Sequence, residues 1–397
     1  MRVARPEWIV AYLSERSDLF GGGQIGLCDL VGALRGVPVR PLVVVPGPGT
    51  LAEALDRCGV EWISMPVPPL LAWAGSGALL AIARLRRMVY ERGVDLLHSD
   101  SPRTALYAGL AARLSRRRHV FHVRASRASS SAADRLLLSL SDRVIAVSRA
   151  AAGRSHSLRA SNKIRVVPTG LPPINFLPRH QARQRLNLPQ DAFVLGVIGR
   201  VEEDKGRDDA LAALATVRRS TSGALLVFLG PVDLDDAWAR ALPLRAAAAG
   251  AAGAVRLAGS NAEAARLLKA FDVLLHASRH EALPRVVLEA QFAEVPVVAA
   301  AVGGVPEIID HGTNGLLVPP RRPVALGDAA ALLARDPEAG RRLARAGLVR
   351  ARQRFSIDRM VADILAIYDE ILPARPAPAM SGPSRAGAGS RAREATP

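Results

Sequence analysis

Two carboxylates, Glu281 and Glu289, stand eight residues apart in a stretch that is predicted to change from strand to helix. The mostly apolar run 271–277 before them has the length of a short buried strand. Pro284, between the two carboxylates, suits the first position of a helix, where its missing N–H costs nothing. Glu281 is therefore predicted at the carboxyl end of a strand, and Glu289 about a turn and a half into the next helix. Ligands bind at that edge of open α/β sheets, so the pair could accept hydrogen bonds from sugar or ribose hydroxyls. Solvated charges on a helix face are the alternative.

The stretch 278–290 resembles the E-x7-E signature of the retaining glycosyltransferases of family 4, also called group 1. The resemblance implies the two-domain GT-B fold, and it assigns Glu281 to the donor sugar and Glu289 to the nucleotide ribose. The family usually has Gly-Phe after the first glutamate, where this chain has Ala282 and Leu283. The identity of the donor sugar is therefore left open.

Arg200 ends a second predicted strand, 193–200, and Lys205 follows it. The family has a Gly-Arg pair and then a Lys-Gly pair at this point, so the resemblance assigns Arg200 and Lys205 to the donor diphosphate, with Gly199 beside them. The chemistry suits that assignment, because arginine can bind a diphosphate bidentately and lysine adds a point charge. The alternative is that the two cations neutralise the acidic run 202–204.

Two glycine pairs, Gly22-Gly23 and Gly303-Gly304, are further candidates for the donor site. Residues 21–26 match the G-x-G-x-x-G dinucleotide pattern, but that pattern should follow its strand directly, and about seven residues intervene here. The family has glycine pairs at both positions, and the resemblance implies that they lie near the donor phosphates and sugar. Glycines there would leave backbone N–H groups exposed to phosphate in loops before a helix. A plain flexible loop is the alternative for the first pair.

His122 stands at the end of a predicted strand, 120–124, in the first half of the chain. In the family, a histidine after the matching strand lies beside the acceptor and the donor. The resemblance therefore implies that His122 orients the acceptor hydroxyl or hydrogen-bonds the sugar, and it completes a predicted catalytic set of Glu281, His122, Arg200 and Lys205. A purely structural histidine is the alternative.

The composition limits the classes of partner. Aromatic residues make up only 4% of the 397 residues, which argues against a single-stranded nucleic-acid binder. The net charge is +17, and basic clusters at 84–87 and 116–119 predict either solvated helix faces or a patch that contacts an anionic membrane. Because aromatic residues are so few, we predict no nucleic-acid partner.

The predicted location is the cytoplasm, with peripheral contact on the inner face of the cell membrane. Cys28 and Cys58 have neither metal-site nor disulfide spacing, which is consistent with a reducing compartment. The uncharged stretch 62–83 is interrupted by prolines, and the remainder is shorter than a bilayer span requires. A core or interfacial helix is the better prediction there.

Short apolar strands alternate with helices along the chain, which predicts parallel, doubly wound sheets in more than one domain. With the resemblance, the fold class is α/β of the GT-B type, two Rossmann-like domains facing a central cleft. The predicted parts are an acceptor-binding domain at 1–175, a nucleotide-sugar-binding domain at 176–355, a helix at 356–372 that crosses back, and a disordered tail at 373–397. Residues 171–190, which contain four prolines, are predicted to form a linker.

The resemblance implies a retaining glycosyltransferase that moves a sugar from a UDP- or GDP-linked donor to a glycan or glycolipid hydroxyl. Cell-envelope polysaccharide or lipopolysaccharide synthesis is the expected setting. No metal and no further cofactor are expected, and the acidic run 233–236 predicts a helix cap instead of a metal site. The alternatives are a non-catalytic adaptor on the same scaffold, a sugar-nucleotide epimerase and an NAD enzyme.

Overall fold

The structure is a computed structural model that describes residues 7–19, 21–69, 76–125, 130–233 and 235–373. The tail predicted at the end of the chain lies outside the described residues from 374 onward. Two parallel sheets, each covered by helices, organise the described residues.

The first sheet contains seven strands, and each is parallel to its neighbours. They are β1 (Trp8–Leu13), β2 (Val39–Val45), β3 (Glu61–Ser64), β4 (Leu96–Ser99), β5 (Arg118–Val123), β6 (Arg143–Ala146) and β7 (Ile164–Val166). Their spatial order is β3-β2-β1-β4-β5-β6-β7. The chain therefore reverses its direction of winding between β1 and β4, where a doubly wound sheet binds its ligand.

The second sheet repeats this arrangement with six parallel strands. They are β8 (Val194–Ile198), β9 (Leu225–Leu229), β10 (Val255–Leu257), β11 (Val273–His276), β12 (Val297–Ala300) and β13 (Leu316–Val318). Their order is β10-β9-β8-β11-β12-β13, so the switch point lies between β8 and β11. The prediction of two doubly wound parallel sheets is confirmed.

Helices pack on both sheets. Those in the first half are α1 (Gly22–Ala33), α2 (Thr50–Arg57), α3 (Ser76–Glu91), α4 (Pro102–Leu114), α5 (Ser131–Ser139), α6 (Arg149–Ala152) and α7 (His156–Arg159). Those that follow are α8 (Arg179–Arg185), α9 (Arg207–Arg218), α10 (Ala237–Ala248), α11 (Arg285–Phe292), α12 (Val305–Ile308), α13 (Pro323–Arg335), α14 (Pro337–Arg354) and α15 (Ile357–Ile371). Two 3-10 helices span Glu203–Lys205 and Ala264–Ala270.

The linker prediction was wrong in part, because α8 lies within it. The fully buried Arg183 anchors this helix to the second half, where its guanidinium donates to the Ala270 carbonyl at 3.0 Å and to Asp272 at 2.7 Å. A buried arginine with several acceptors stabilises a short helix that its own proline-flanked sequence does not predict.

Helix α15 leaves the second half and packs on the first sheet, where Met360, Ile364 and Tyr368 join one buried cluster with residues of β1 and β2. Its entry runs beside the segment that leaves the first sheet. The Leu171 N–H donates to the Phe355 carbonyl at 2.9 Å, and the Ile357 N–H donates to the Leu171 carbonyl at 3.0 Å. The two crossings between the halves therefore lie side by side.

The serine and aspartate caps explain several helix starts. Ser101 and Thr104 form a capping box at the start of α4, and the Ser356 side chain accepts from the Arg359 N–H at the start of α15. Asp236 caps α10 by accepting from the Trp238 N–H, as predicted for the acidic run. Within the described ranges, no helix is both long and apolar enough to cross a membrane.

Candidate active site

Arg200 stands just beyond the carboxyl end of β8, next to the second switch point. The preceding Gly199 has φ +132°, a conformation that side chains rarely adopt, and a Cβ there would meet no atom within 4 Å. The Arg200 guanidinium donates to Glu202 at 2.8 Å and is partly exposed. Arg200 therefore borders open space while it pairs with one of the acidic residues that the sequence offered as its alternative partners.

Lys205 and Glu281 come together from separate elements. The Lys205 ammonium donates to Glu281 Oε1 at 2.5 Å, and His276 Nε2 lies 3.4 Å from the same oxygen. Burial alone would raise the pKa of Glu281, but His276 and Lys205 outweigh it and lower the pKa to about 2. The carboxylate is thus ionised at neutral pH between two basic groups.

Gly206 explains why Lys205 reaches this position. It has φ +73°, and a Cβ at this residue would overlap the carbonyl group of Ala277, just beyond β11. The turn that carries Lys205 therefore lies directly against the end of β11. A substitution at Gly206 would both strain the backbone and move the lysine away from Glu281.

Glu289 takes part in a contact between the two halves. Arg285, in the first turn of α11, lies 3.4 Å from Glu289 and 2.7 Å from Asp29 of α1. Burial raises the pKa of both Glu289 and Asp29, and Arg285 opposes that rise. One guanidinium thus joins a carboxylate of its own helix to a carboxylate of the first half, both of them largely buried.

Gly22 and Gly23 lie in the first turn of α1, so the expectation of a loop before the helix was wrong at these residues. A Cβ on Gly22 would lie 3.2 Å from Cδ of Arg285, and one on Gly26 would lie 3.0 Å from Nη1 of Arg124. The missing side chains thus make room for two arginines beside a helix N-terminus, which itself carries partial positive charge. Such a cluster of positive charge favours an anion.

Gly303 and Gly304 pack directly against the candidate site. A Cβ on Gly303 would overlap the Glu281 carbonyl, and one on Gly304 would overlap the Ala282 carbonyl. The Gly304 N–H donates to the Glu281 carbonyl at 3.2 Å, so the expectation of a free N–H was wrong there. The pair fixes the backbone of Glu281, and the following helix begins at Val305 instead of Pro306.

His122 is buried near the end of β5 and belongs to a polar cluster. Its Nδ1 lies 3.2 Å from His98 Nε2 and 3.4 Å from the Arg124 guanidinium. His98 Nδ1 in turn lies 2.6 Å from the hydroxyl of Tyr368. Burial, with a smaller effect of Arg124, lowers the pKa of both histidines well below the ordinary value, so both rings are neutral.

A cavity of about 230 Å³ opens at the carboxyl ends of β1, β4 and β5. Glu15, Gln24, Asp100, Arg124 and Arg154 contribute to its lining. Burial raises the pKa of Asp100 to about 6, against the opposing effect of Arg124 and with a further rise from Glu15. A cavity of this size and mixed charge can hold one small polar molecule.

The structure brings Lys205 and Glu281 into direct contact and sets Arg200 at the neighbouring strand end. Sequence reasoning missed His276, Asp29, Arg285 and Tyr368 as members of the site. Arg285 had a signal, since it immediately follows Pro284 in the E-x7-E stretch. Among the described residues, no group of three or more His, Cys, Asp or Glu side chains could hold a metal ion.

Comparisons with known proteins agree with this geometry. The family model described as Glycosyltransferase Family 4 matches residues 20–173, and the model described as Glycosyl transferases group 1 matches residues 178–350. Between them, the two models extend over most of the chain and meet near the crossing between the halves.

Curated relatives include the D-inositol 3-phosphate glycosyltransferases of Segniliparus rotundus and Actinosynnema mirum. The first is 33% identical over 238 residues, 58% of this chain and 53% of the relative. The second is 34% identical over 240 residues, 58% of this chain and 57% of the relative. The chain thus spans about half the length of the curated relatives it matches.

Similar solved structures include Anabaena Alr3699/HepE in complex with UDP and glucose, with a TM-score of 0.79 at 22% identity over 91% of this chain and 99% of that one. A glycosyltransferase from Rickettsia africae has a TM-score of 0.80 at 19% identity over 92% and 98%. At such identities, these similarities concern the fold. The chain belongs to the group 1 glycosyltransferases of family 4 and has the GT-B fold.

Proposed function

We propose that this protein transfers a sugar from a nucleotide-diphosphate sugar to an acceptor hydroxyl with retention of the anomeric configuration. The observation that carries the proposal is the convergence of Arg200, Lys205 and Glu281 at the adjoining ends of β8 and β11. Two cations and one ionised carboxylate at a switch point suit a diphosphate joined to a polyhydroxy group.

The donor would exchange existing ion pairs for new ones. Arg200 now pairs with Glu202, and Lys205 pairs with Glu281. A diphosphate would attract both cations, and Glu281, whose pKa of about 2 in the unbound protein reflects its pairing with His276 and Lys205, would then accept hydrogen bonds from sugar hydroxyls. Glu289 would accept from the ribose. Cations already held near the leaving phosphate stabilise the charge that develops on it.

The reaction balances without a covalent enzyme intermediate. The bond between the anomeric carbon and the phosphate oxygen breaks, and a bond to the acceptor oxygen forms on the same face. The acceptor proton passes to the departing phosphate oxygen. Closing the cleft would exclude water, which otherwise competes with the acceptor.

We propose UDP or GDP as the donor nucleotide and a small polar group as the acceptor end. Titles of similar structures mention UDP and UDP-glucose, and the named relatives act on D-inositol 3-phosphate. The 230 Å³ cavity beside Asp100 and Arg124 has room for one such group. A glycan or glycolipid of the cell envelope would present the same hydroxyl chemistry at its end.

Purified protein tests the proposal directly. UDP-, GDP-, ADP- and dTDP-sugars are each incubated with D-inositol 3-phosphate, glycan or glycolipid acceptors, and nucleotide release and the anomeric coupling in the product are measured. Acceptor-dependent release with a retained configuration supports the proposal. An inverted product would contradict retention, donor interconversion without an acceptor would indicate an epimerase, and donor binding without turnover would indicate an adaptor.

Metal independence is part of the proposal, because Arg200 and Lys205 supply the positive charge that a divalent ion would otherwise bring. Full activity after exhaustive treatment with EDTA is the expected result. Activity that is lost with EDTA and restored by added Mg²⁺ or Mn²⁺ would contradict this part.

We also propose cytoplasmic location with peripheral contact on anionic lipid. A cavity of about 720 Å³ at the amino-terminal edge of the first sheet supports the contact with anionic lipid. The cavity is lined by more cations than carboxylates, including Arg113, Arg116, Arg117, Arg118 and Lys163. Sedimentation with vesicles that contain anionic lipid, but not with neutral vesicles, is expected. Equal recovery with both would exclude this surface as a membrane contact.

A further inference from the structure

Four buried side chains form one hydrogen-bonded chain that ends at the candidate catalytic histidine. Tyr12 of β1, His98 of β4, His122 of β5 and Tyr368 of α15 are each exposed by 3% or less. The two tyrosine hydroxyls lie 3.0 Å apart, Tyr368 Oη lies 2.6 Å from His98 Nδ1, and His98 Nε2 lies 3.2 Å from His122 Nδ1. Distances alone leave the direction of each hydrogen bond open.

Arg124 sets the direction of the chain. Its guanidinium lies 3.4 Å from His122 Nδ1 and can only donate, so that nitrogen must present its lone pair. His98 Nε2–H then donates to His122 Nδ1, which leaves His98 Nδ1 as an acceptor for the Tyr368 hydroxyl. The Tyr368 oxygen in turn accepts from Tyr12. Each of these hydrogens has an acceptor, and the Arg124 and His98 hydrogens share the one lone pair of His122 Nδ1.

The reverse direction would leave two faults. A hydrogen on His122 Nδ1 would face the Arg124 guanidinium, so that two donors would oppose each other. The Tyr12 hydroxyl hydrogen would also lack an acceptor, since Tyr368 is its hydrogen-bond partner among the described residues. Buried donors without acceptors are strongly disfavoured.

We infer that Tyr368 and His98 are positioning residues that hold the ring of His122 in place, with His122 in the Nε2–H tautomer, so that His122 donates a hydrogen bond to the substrate and does not take its proton. In the part of the chain that the structure describes, His122 Nε2 is buried and has no hydrogen-bond partner. It is therefore the donor that remains for a bound sugar or acceptor oxygen. The role at the substrate rests on the proposed function.

Helix α15 thus contributes to the site from a distance. It begins beside the second half, packs on the first sheet and supplies the Tyr368 hydroxyl that points His98 toward His122. The orientation of a neutral imidazole is commonly set by the hydrogen bond that its other nitrogen makes. Here Tyr368 orients His98, and His98 in turn orients His122.

The tautomers can be measured on the whole, unliganded protein. With ¹⁵N-labelled histidine, two-bond ¹⁵N–¹H correlations at pH 7.5 distinguish the Nε2–H from the Nδ1–H form, and single histidine substitutions assign the eight histidines. We expect the Nε2–H form at both His98 and His122. The Nδ1–H form at either one would overturn the inference, and neither result depends on catalytic turnover.

Tyr368→Phe removes the hydroxyl that donates to His98 and keeps the ring. We expect both histidines to keep the Nε2–H form, because Arg124 still requires the lone pair of His122 Nδ1 and a hydrogen on His98 Nδ1 would have no acceptor. The less firmly held imidazole should lower kcat about tenfold, roughly the value of one hydrogen bond in the transition state, with donor KM little changed. Tyr12→Phe is the matched control, since it removes a buried hydroxyl that does not contact His98, and kcat should change less. An unchanged kcat in Tyr368→Phe would also overturn the inference, whereas Nε2–H tautomers in a protein that never transfers sugar would overturn only the proposed function.

Discussion

The two walls of the cleft obtain their side chains in different ways. The second-sheet wall, formed by Arg200, Lys205 and Glu281, comes from loops that directly follow β8 and β11. The first-sheet wall, which includes Arg124 and Asp100, is backed by the buried His122, whose network extends to Tyr368 in the last helix. Ion pairs between neighbouring side chains thus hold one wall, while hydrogen bonds through the core orient the other. The first wall should therefore be sensitive to substitutions far from the cleft.

The largest effect is expected on the second-sheet wall. Lys205→Ala should lower kcat/KM by about 10²–10³-fold, because it removes a cation beside the leaving diphosphate and leaves Glu281 without its closest partner. Steady-state kinetics with the best donor measures this. Lys269→Ala is the control, since that lysine lies over the Phe176 ring, outside the site. Near-wild-type turnover in Lys205→Ala would show that the cations of the second-sheet wall do not carry the larger share of catalysis.

The ion pairs on this wall also predict a dependence of stability on pH. The pKa of Glu281 lies near 2 instead of 4.5, so its ionisation stabilises the folded state above pH 4.5, and this contribution is lost as pH falls toward 2. The difference in the free energy of unfolding between the wild type and Glu281→Gln should therefore shrink below pH 4.5, by on the order of 1–3 kcal/mol.

Urea denaturation at a series of pH values measures that difference. Glu53→Gln, at an exposed position on α2, is the comparison variant. If the difference in the free energy of unfolding between the wild type and Glu281→Gln stays constant from pH 6 to pH 2, the ion pairs around Glu281 do not stabilise the fold.

A smaller effect is expected at Asp100 on the first-sheet wall. Its pKa is raised to about 6, so the ionised form that can accept hydrogen bonds from an acceptor is lost as pH falls through 6. Acceptor KM should rise severalfold between about pH 7 and 5 in the wild type and stay flat in Asp100→Asn. Donor KM is the internal control. An identical acceptor profile in both proteins would place the acceptor away from this cavity.

The smallest effect is expected where the walls are joined. The Glu307 carboxylate accepts from the N–H groups of Arg149 and Ala150 at 2.9 and 3.0 Å, at the start of α6. Glu307→Gln should weaken this contact and raise the donor Kd a few-fold, since a carboxylate at a helix start contributes about 0.3–1 kcal/mol. Small-angle scattering should show a larger radius of gyration. Glu338→Gln, in the exposed first turn of α14, should change neither quantity.

Sequence reasoning succeeded where chemistry and local structure share one short stretch. The strand and the helix around Glu281 and Glu289 were predictable because periodicity and proline chemistry act locally, although Pro284 precedes the helix, which begins at Arg285. The contact of Tyr368 with His98 joins residues 270 positions apart, and no local pattern announces it. The same holds for Arg285 and Asp29, which meet only when the two halves come together. The roles of Gly22 and Gly304 also required knowledge of the packing. In the sequence, a glycine that leaves space for a neighbouring group cannot be distinguished from one that allows an unusual backbone conformation.

The paired crossings at Leu171 and Ile357 constrain how the molecule can open. One tether would let the two lobes twist or slide relative to each other. Two crossings that are hydrogen-bonded side by side restrict the relative motion of the lobes to a hinge rotation about an axis through both crossings. The cleft would therefore open on the side opposite this hinge axis, and products would leave there. Each closure would bring the same two surfaces back into contact.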